Sequence, residues 1–150
     1  MNSEVIKTIL SALAFFIGFP LFWSALAVIT SGIGGWATLA EMYPHHETLS
    51  AQCFSGQSAT LQRSSNYRGT LKICADNEGI YCSVTFLFRP GHPPFFVPWV
   101  EISGTRQKHG LYEVVELRFQ RTPNIPFRIY KRTADKLVDV ANGRWAYKES

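Results

Sequence analysis

A chain of 150 residues with a net charge of +4 indicates one globular domain of modest size rather than several. The charge is unevenly divided, because residues 1–49 carry a net charge of −2 and residues 50–150 a net charge of +6. An excess of this size is compatible with an anionic membrane surface or an acidic protein face. It does not indicate nucleic-acid binding, which would need a larger excess and interleaved exposed aromatic residues.

The N-terminal segment is predicted to cross a membrane. Residues 1–7 form a short tail, and residues 8–30 contain no charged side chain. As an α-helix this apolar run would extend roughly 34 Å, which is enough to span a bilayer core. A signal peptide cleaved near the Ala-Leu-Ala sequence at residues 25–27 is the alternative. The single lysine in the tail and the length of the apolar run favour an uncleaved anchor.

Residues 31–50 are predicted to be a glycine-rich linker followed by a short amphipathic helix. In the segment 36–44, apolar side chains recur at helical spacing until Pro44 ends the run. Trp36 and Tyr43 are suited to the headgroup layer of a membrane, so we predict that they lie at the membrane interface. The alternative is that the same face packs on the domain that follows.

Residues 51–150 read as a mainly β-domain. Apolar residues alternate over 71–75 and 80–88 on either side of a turn at 76–79, which predicts a hairpin. Further strands are expected near 59–63, 113–119 and 125–130. The final element is predicted to be a helix with Thr133 as its N-cap and Asn142-Gly143 as its end. The prediction is an antiparallel barrel or sandwich of six or seven strands, followed by a C-terminal helix.

Two segments of this domain carry a resemblance to a known group. The sequence GIYCSV at residues 79–84 and the sequence RPGHPPFFVPWVEI at 89–102 resemble those of small bacterial membrane proteins with a pleckstrin-homology-like (PH-like or GRAM-like) domain. The segment GWATLAEMYP after the membrane helix is similar as well. The resemblance implies a PH-like barrel closed by its C-terminal helix. It also implies scaffolding or the binding of lipid headgroups or peptides, on the cytosolic side of the membrane.

The three cysteines lack the spacing of a zinc or redox motif. Alternation places Cys74 and Cys82 on opposite faces of the predicted hairpin, which argues against a bridge between them. With Cys53 included, the interpretation is two or three buried or half-buried free thiols. Free thiols favour a reducing compartment.

No catalytic site, metal site or cofactor is predicted. The four histidines, among them the adjacent His45 and His46, are scattered without ligand spacing, and the chain contains no nucleophile motif and no phosphate-binding loop. An alternative is a small hydrolase or metal-dependent enzyme that uses His92, with Arg89 and Glu101 nearby in sequence.

Two binding surfaces are predicted. The first is the loop that contains Arg89, His92, Phe95 and Phe96, where the aromatic residues exceed what a short segment readily buries. The second is basic and would favour anionic lipid. Its residues are Arg128, Lys131, Arg132 and Lys136.

The function expected from these features is that of a non-enzymatic, single-pass membrane protein. Its β-domain would bind or scaffold a protein partner in the membrane, and an anionic-lipid-binding module is the alternative. The N-terminal helix would contact membrane lipids. The localisation expected is the bacterial inner (plasma) membrane with the domain on the cytoplasmic side, although the single positive charge before the helix, Lys7, favours the periplasmic side.

Overall fold

The structure is a computed structural model that describes residues 2–45, 51–63 and 65–150. Ser64, His46 and the rest of the predicted linker from 47 to 50 lie outside these ranges. Single 3-10 turns occur at Phe86–Phe88 and Trp99–Glu101. The helices are α1 (Ser3–Gly34), α2 (Trp36–Met42) and α3 (Lys131–Ala141). The strands are β1 (Gln52–Leu61), β2 (Ser65–Ala75), β3 (Gly79–Val84), β4 (Phe95–Pro98), β5 (Ile102–His109), β6 (Tyr112–Phe119) and β7 (Thr122–Tyr130).

The strands form one antiparallel sheet in the order β4-β3-β2-β1-β7-β6-β5. Consecutive strands pair as hairpins within β1–β4 and within β5–β7, and β1 joins the two groups through its pairing with β7. Strands β4 and β5 are the two edges of the sheet. Helix α3 packs against β2, β6 and β7, with Ala134, Leu137 and Ala141 fully buried. The predicted fold of six or seven antiparallel strands and a C-terminal helix is therefore confirmed.

Helix α1 is long and apolar enough to cross a membrane, and it could be an anchor or a signal sequence. It extends beyond the predicted limits of 8–30, because residues 31–34 continue the helix instead of forming a flexible exit. The chain turns at Gly35, whose φ of +82° lies in the left-handed region that favours glycine. A Cβ atom there would also meet the Gln62 side chain at 2.9 Å.

Helix α2 lies in the core of the domain. Trp36 is 0% exposed and Tyr43 is equally buried, so their predicted place at the membrane interface was wrong. The Trp36 ring lies 5.0 Å from that of Phe95, and its indole nitrogen donates to the Pro93 carbonyl at 2.8 Å. The tight turn at Gly35 directs the apolar face of α2 against the sheet, where burial removes it from both water and lipid.

The C-terminal helix starts earlier than predicted. Tyr130 is its N-cap, and Thr133 lies inside the first turn, where its hydroxyl donates to the Gln57 side chain at 2.8 Å. The predicted cap at Thr133 was therefore wrong. The predicted stop is confirmed, because Asn142 adopts the left-handed conformation at the C-cap.

Cys53 and Cys74 form a disulfide between β1 and β2, where they are direct cross-strand partners. The prediction of free thiols was wrong for these two residues. Strand β2 has a neighbour on each side, and the partner of Cys74 lies on β1 rather than on the hairpin strand β3. Cys82 is buried with a free thiol, and burial raises its pKa.

Candidate membrane-facing site

The β-domain rests on the C-terminal part of α1. The indole nitrogen of Trp23 donates to the Leu87 carbonyl at 2.7 Å, and the Trp23 ring lies 5.6 Å from that of Phe88. At Gly91 an added Cβ would lie 2.6 Å from the Cα of Val28, so the loop touches the helix backbone closely. The loop between β3 and β4 is therefore held against the helix.

This contact lies close to the expected membrane boundary. From Thr8, where the uncharged run begins, to Trp23 the helix rises roughly 23 Å, which is most of the thickness of a bilayer core. Leu87 accepts the hydrogen bond from Trp23, and Phe86 precedes it in the chain. Their side chains are 62% and 76% exposed, respectively. Large apolar side chains exposed at this level favour lipid over water. We call Phe86, Leu87 and Phe88 the apolar loop.

A cavity of about 300 Å³ lies between α1 and β2. We call it the junction cavity. One wall is a single face of α1, because its four helical residues recur at positions i, i+3, i+4 and i+7. The opposite wall is β2, and Phe88 and His92 from the loop complete the lining. The residues that line it are Trp23, Leu26, Ala27, Thr30, Asn66, Tyr67, Arg68, Thr70, Phe88 and His92.

The strand and loop residues that line this cavity come from basic segments of the chain. The segments 48–75 and 79–100 contain no aspartate or glutamate. Their four cations are Arg63, Arg68, Lys72 and Arg89. Within the part of the chain that the structure describes, none of the four forms an ion pair. Arg68 lines the junction cavity and Arg89 follows the apolar loop, so both charges lie close to the membrane helix.

The predicted aromatic contact surface is not exposed. Phe95 is fully buried and Phe96 nearly so, which corrects the prediction that they face a partner. The segment at Tyr43 and Pro44 pairs with the edge of β4, where the Phe96 amide donates to the Tyr43 carbonyl at 3.2 Å. Arg89 from the same predicted site is exposed. The large hydrophobic side chains that are exposed in this loop are Phe86 and Leu87.

His92 is 2% exposed and lies at the back of the junction cavity. Its Nε2 lies 2.9 Å from the Tyr67 hydroxyl and its Nδ1 lies 3.1 Å from the Pro90 carbonyl. Nδ1 therefore carries the proton and Nε2 accepts from Tyr67, since a carbonyl can only accept. Burial raises the pKa of Tyr67 to about 12, which keeps its hydroxyl protonated.

These contacts do not favour a catalytic role for His92. Both ring nitrogens are occupied, and burial lowers the pKa of the imidazole despite its hydrogen bonds to backbone carbonyls. Glu101, its proposed acidic neighbour, pairs with Arg121 at 2.8 Å instead. Among residues 2–45, 51–63 and 65–150, no group of three histidine, cysteine or acidic side chains could hold a metal ion.

The state of His92 makes stability depend on pH. Since its pKa falls below the ordinary value of 6.5 on folding, the unfolded chain binds the proton more readily. The stability that neutral His92 gives to the folded state is fully present above about pH 6.5 and is lost as the pH falls below this value. We expect the urea midpoint of the full-length protein in detergent, followed by near-ultraviolet circular dichroism, to decrease between about pH 7.5 and about pH 5.5.

His92→Gln is the matched control for this pH dependence. Its amide keeps an acceptor for the Tyr67 hydroxyl but does not titrate in this range. We expect the midpoint of this variant to change less with pH than that of the parent. Equal slopes in the two proteins would contradict the assignment to His92.

The predicted basic surface is partly neutralised. Arg128 pairs with the buried Glu116 at 2.9 Å, and Lys131 pairs with Asp135 at 2.8 Å. The other two predicted cations, Arg132 and Lys136, form no ion pair among the described residues. Lys136 lies 5.0 Å from the centre of the Phe54 ring. None of the four predicted residues lines the junction cavity.

Sequence reasoning missed most residues of the junction. Trp23, Tyr67 and Arg68 are far apart in the chain, and no local motif connects them. One signal was present, because a basic segment free of acids covers 48–75.

No protein-family model matches the chain, and no curated protein matches it.

Proposed function

We propose that the protein is a non-enzymatic, membrane-anchored module whose β-domain works at the bilayer surface and binds anionic lipid. The observation that carries this proposal is the apolar loop, with Phe86 and Leu87 exposed beside Trp23 of the membrane helix. The unpaired cations Arg68 and Arg89 lie at the same junction. Insertion of apolar side chains into the bilayer and attraction of basic side chains to anionic lipids are the two interactions that hold a domain on an anionic membrane.

The architecture supports a PH-like binding scaffold as part of this proposal. The seven strands form two antiparallel meanders joined by the pairing of β1 with β7, and a C-terminal amphipathic helix covers part of the sheet through Leu137. Such a scaffold uses its loops for binding while the sheet stays rigid. In this protein the candidate binding loop is the one between β3 and β4, which faces the membrane helix.

An uncleaved anchor is also part of the proposal. Ala27 is buried against the domain, and Val28 and Trp23 contact the loop between β3 and β4. Cleavage after the Ala-Leu-Ala sequence at 25–27 would remove Trp23 from this interface. The contacts therefore support retention of the helix, and the mass of the mature protein would test it.

The disulfide supports a position of the domain outside the cytoplasm. Disulfides persist in oxidising compartments such as the periplasm and are rare in the cytosol. The bond between Cys53 and Cys74 thus argues against the cytoplasmic side expected from the resemblance. Lys7, the lone basic residue before the uncharged run 8–30, points in the same direction as the disulfide.

The depth of the apolar loop tests the proposed function. A fluorophore is attached at Leu87→Cys in the full-length protein, which is placed in nanodiscs that contain brominated lipid. Cys82 is buried and the other cysteines are bonded, so labelling is selective. We expect strong quenching, because the side chain would reach the acyl chains.

Val100→Cys is the matched control for the depth measurement. Val100 is almost fully exposed and lies near the start of β3, whereas Leu87 lies beyond its end, roughly 17 Å away along the strand. We expect little quenching at this position. Absence of quenching at position 87 would contradict the proposed function.

A protein partner is the second candidate function. Leu111 is 98% exposed at the turn between β5 and β6, and the exposed rings of Tyr112 and Tyr130 lie 6.3 Å apart beside it. Exposed tyrosine is enriched at protein–protein contacts relative to the rest of a protein surface. A photo-crosslinker at Leu111 should capture one defined protein that a crosslinker at Val100 does not, and identical products at both positions would argue against it.

A further inference from the structure

The junction cavity changes in polarity along the membrane helix. Its membrane end is lined by Trp23, Leu26 and Phe88, at the level of the exposed apolar loop. About 10 Å further along α1, Thr30 faces the part of β2 that carries Arg68. A ligand that fits this gradient has an apolar part directed into the bilayer and a polar part at its surface.

The size of the cavity limits the apolar part. A volume of about 300 Å³ lies at the lower end of the range for ligand pockets. It accommodates a segment of one hydrocarbon chain, and it is too small for a whole phospholipid. The headgroup and the second chain would therefore remain outside, in contact with the surrounding bilayer.

The positive charge at the cavity indicates that the lipid headgroup is negatively charged. Arg68 is exposed, lines the cavity and forms no ion pair with any described residue. None of the residues that line the cavity is acidic, so no carboxylate of the lining would repel a phosphate. Guanidinium groups bind phosphate oxygens in a bidentate manner, which gives a defined position to the headgroup.

We propose that the junction cavity holds one anionic glycerophospholipid. One acyl chain lies against Trp23, Leu26 and Phe88, and the phosphate binds Arg68. This inference rests on the proposed function, because the cavity meets lipid only if the apolar loop lies at the bilayer. The proposed function requires only a general attraction of the domain to the membrane surface. The lipid site adds that a single lipid molecule occupies a defined cavity.

Native mass spectrometry of the full-length protein tests the proposal. The protein is released into the gas phase from nanodiscs that contain phosphatidylglycerol and phosphatidylcholine. We expect an adduct of one phosphatidylglycerol that outlasts the loss of the other lipids. Arg68→Gln should reduce the retained fraction about fivefold, the factor expected for one basic residue near an anionic surface. Arg132→Gln, which removes an unpaired cation outside the cavity, should leave it unchanged.

A second pair of variants tests occupancy of the cavity rather than charge. Thr30→Trp places a large side chain in the cavity from an exposed position on α1, and it should abolish the adduct. Ile29→Trp adds the same side chain one residue away, outside the cavity lining, and should retain it. Circular dichroism of each variant confirms that the fold is kept.

The outcomes separate this inference from the proposed function. Quenching at position 87 without a retained lipid would overturn the lipid site and leave the function standing. Equal adducts in all four variants would show that retention is nonspecific and would also overturn the site. An adduct of phosphatidylcholine in equal amount would overturn its anionic selectivity. If position 87 lies in water, both proposals fail.

Discussion

Trp36→Ala is expected to destabilise the β-domain by about 3–5 kcal/mol, the usual cost of truncating a fully buried large aromatic residue. Trp36 is 0% exposed and its ring contacts those of Tyr67, His92 and Phe95 at centroid distances between 5.0 and 5.6 Å. The variant would also leave the Pro93 carbonyl without its indole donor. Because a domain of this size has a net stability of only about 5–15 kcal/mol, much of it would be lost.

Pulse proteolysis in urea measures this effect on the full-length protein in detergent, since it detects unfolding of the β-domain while α1 remains in the micelle. Leu111→Ala is the control, because it removes a nearly fully exposed side chain and should change stability by less than about 0.5 kcal/mol. If the two variants unfolded at the same urea concentration, α2 would not be part of the core. The predicted place of Trp36 at the membrane interface would then regain support.

Cys53→Ser is expected to cost about 3 kcal/mol, since the disulfide closes a loop in the unfolded chain. The two cysteines are 21 residues apart, and the bond joins β1 to β2 near the end of their pairing. Reduction of the parent protein should produce a similar loss. The remaining thiol of Cys74 is buried, so the variant keeps its apolar packing.

Alkylation of the unfolded protein with a mass-adding maleimide shows whether this disulfide forms in cells. Protein quenched with acid from membranes should take one label, at Cys82, and three labels after reduction. Three labels without prior reduction would contradict the disulfide and the proposed position outside the cytoplasm. Cys53→Ser is the internal control for stability, because reductant should not weaken this variant further.

The architecture was predictable because its signals are local. The uncharged run at 8–30 predicts a long apolar helix, and the alternation at 71–75 and 80–84 predicts the hairpin of β2 and β3. The Asn142-Gly143 pair predicts the end of α3. Each of these patterns involves neighbouring residues only, so backbone geometry translates it directly into an element.

The candidate site was less predictable because its residues come from separate elements. Arg89 and His92 were selected from sequence, but their environments differ, since Arg89 is exposed and His92 is buried against Tyr67. Phe95 and Phe96 were expected at the surface because their segment is rich in aromatic residues. Pairing of β4 with Pro44, some fifty residues earlier, covers them instead.

The long apolar N-terminal helix, the antiparallel β-domain and the final amphipathic helix all follow from patterns of neighbouring residues. Hydrophobic periodicity specifies these elements without reference to distant residues. Three features are visible only in the folded protein: Trp36 lies in the core, Cys53 meets Cys74, and α1 and β2 enclose a cavity. These features depend on the tight turn at Gly35 and on strand pairing, which bring together residues whose spacing in the chain carries no signal.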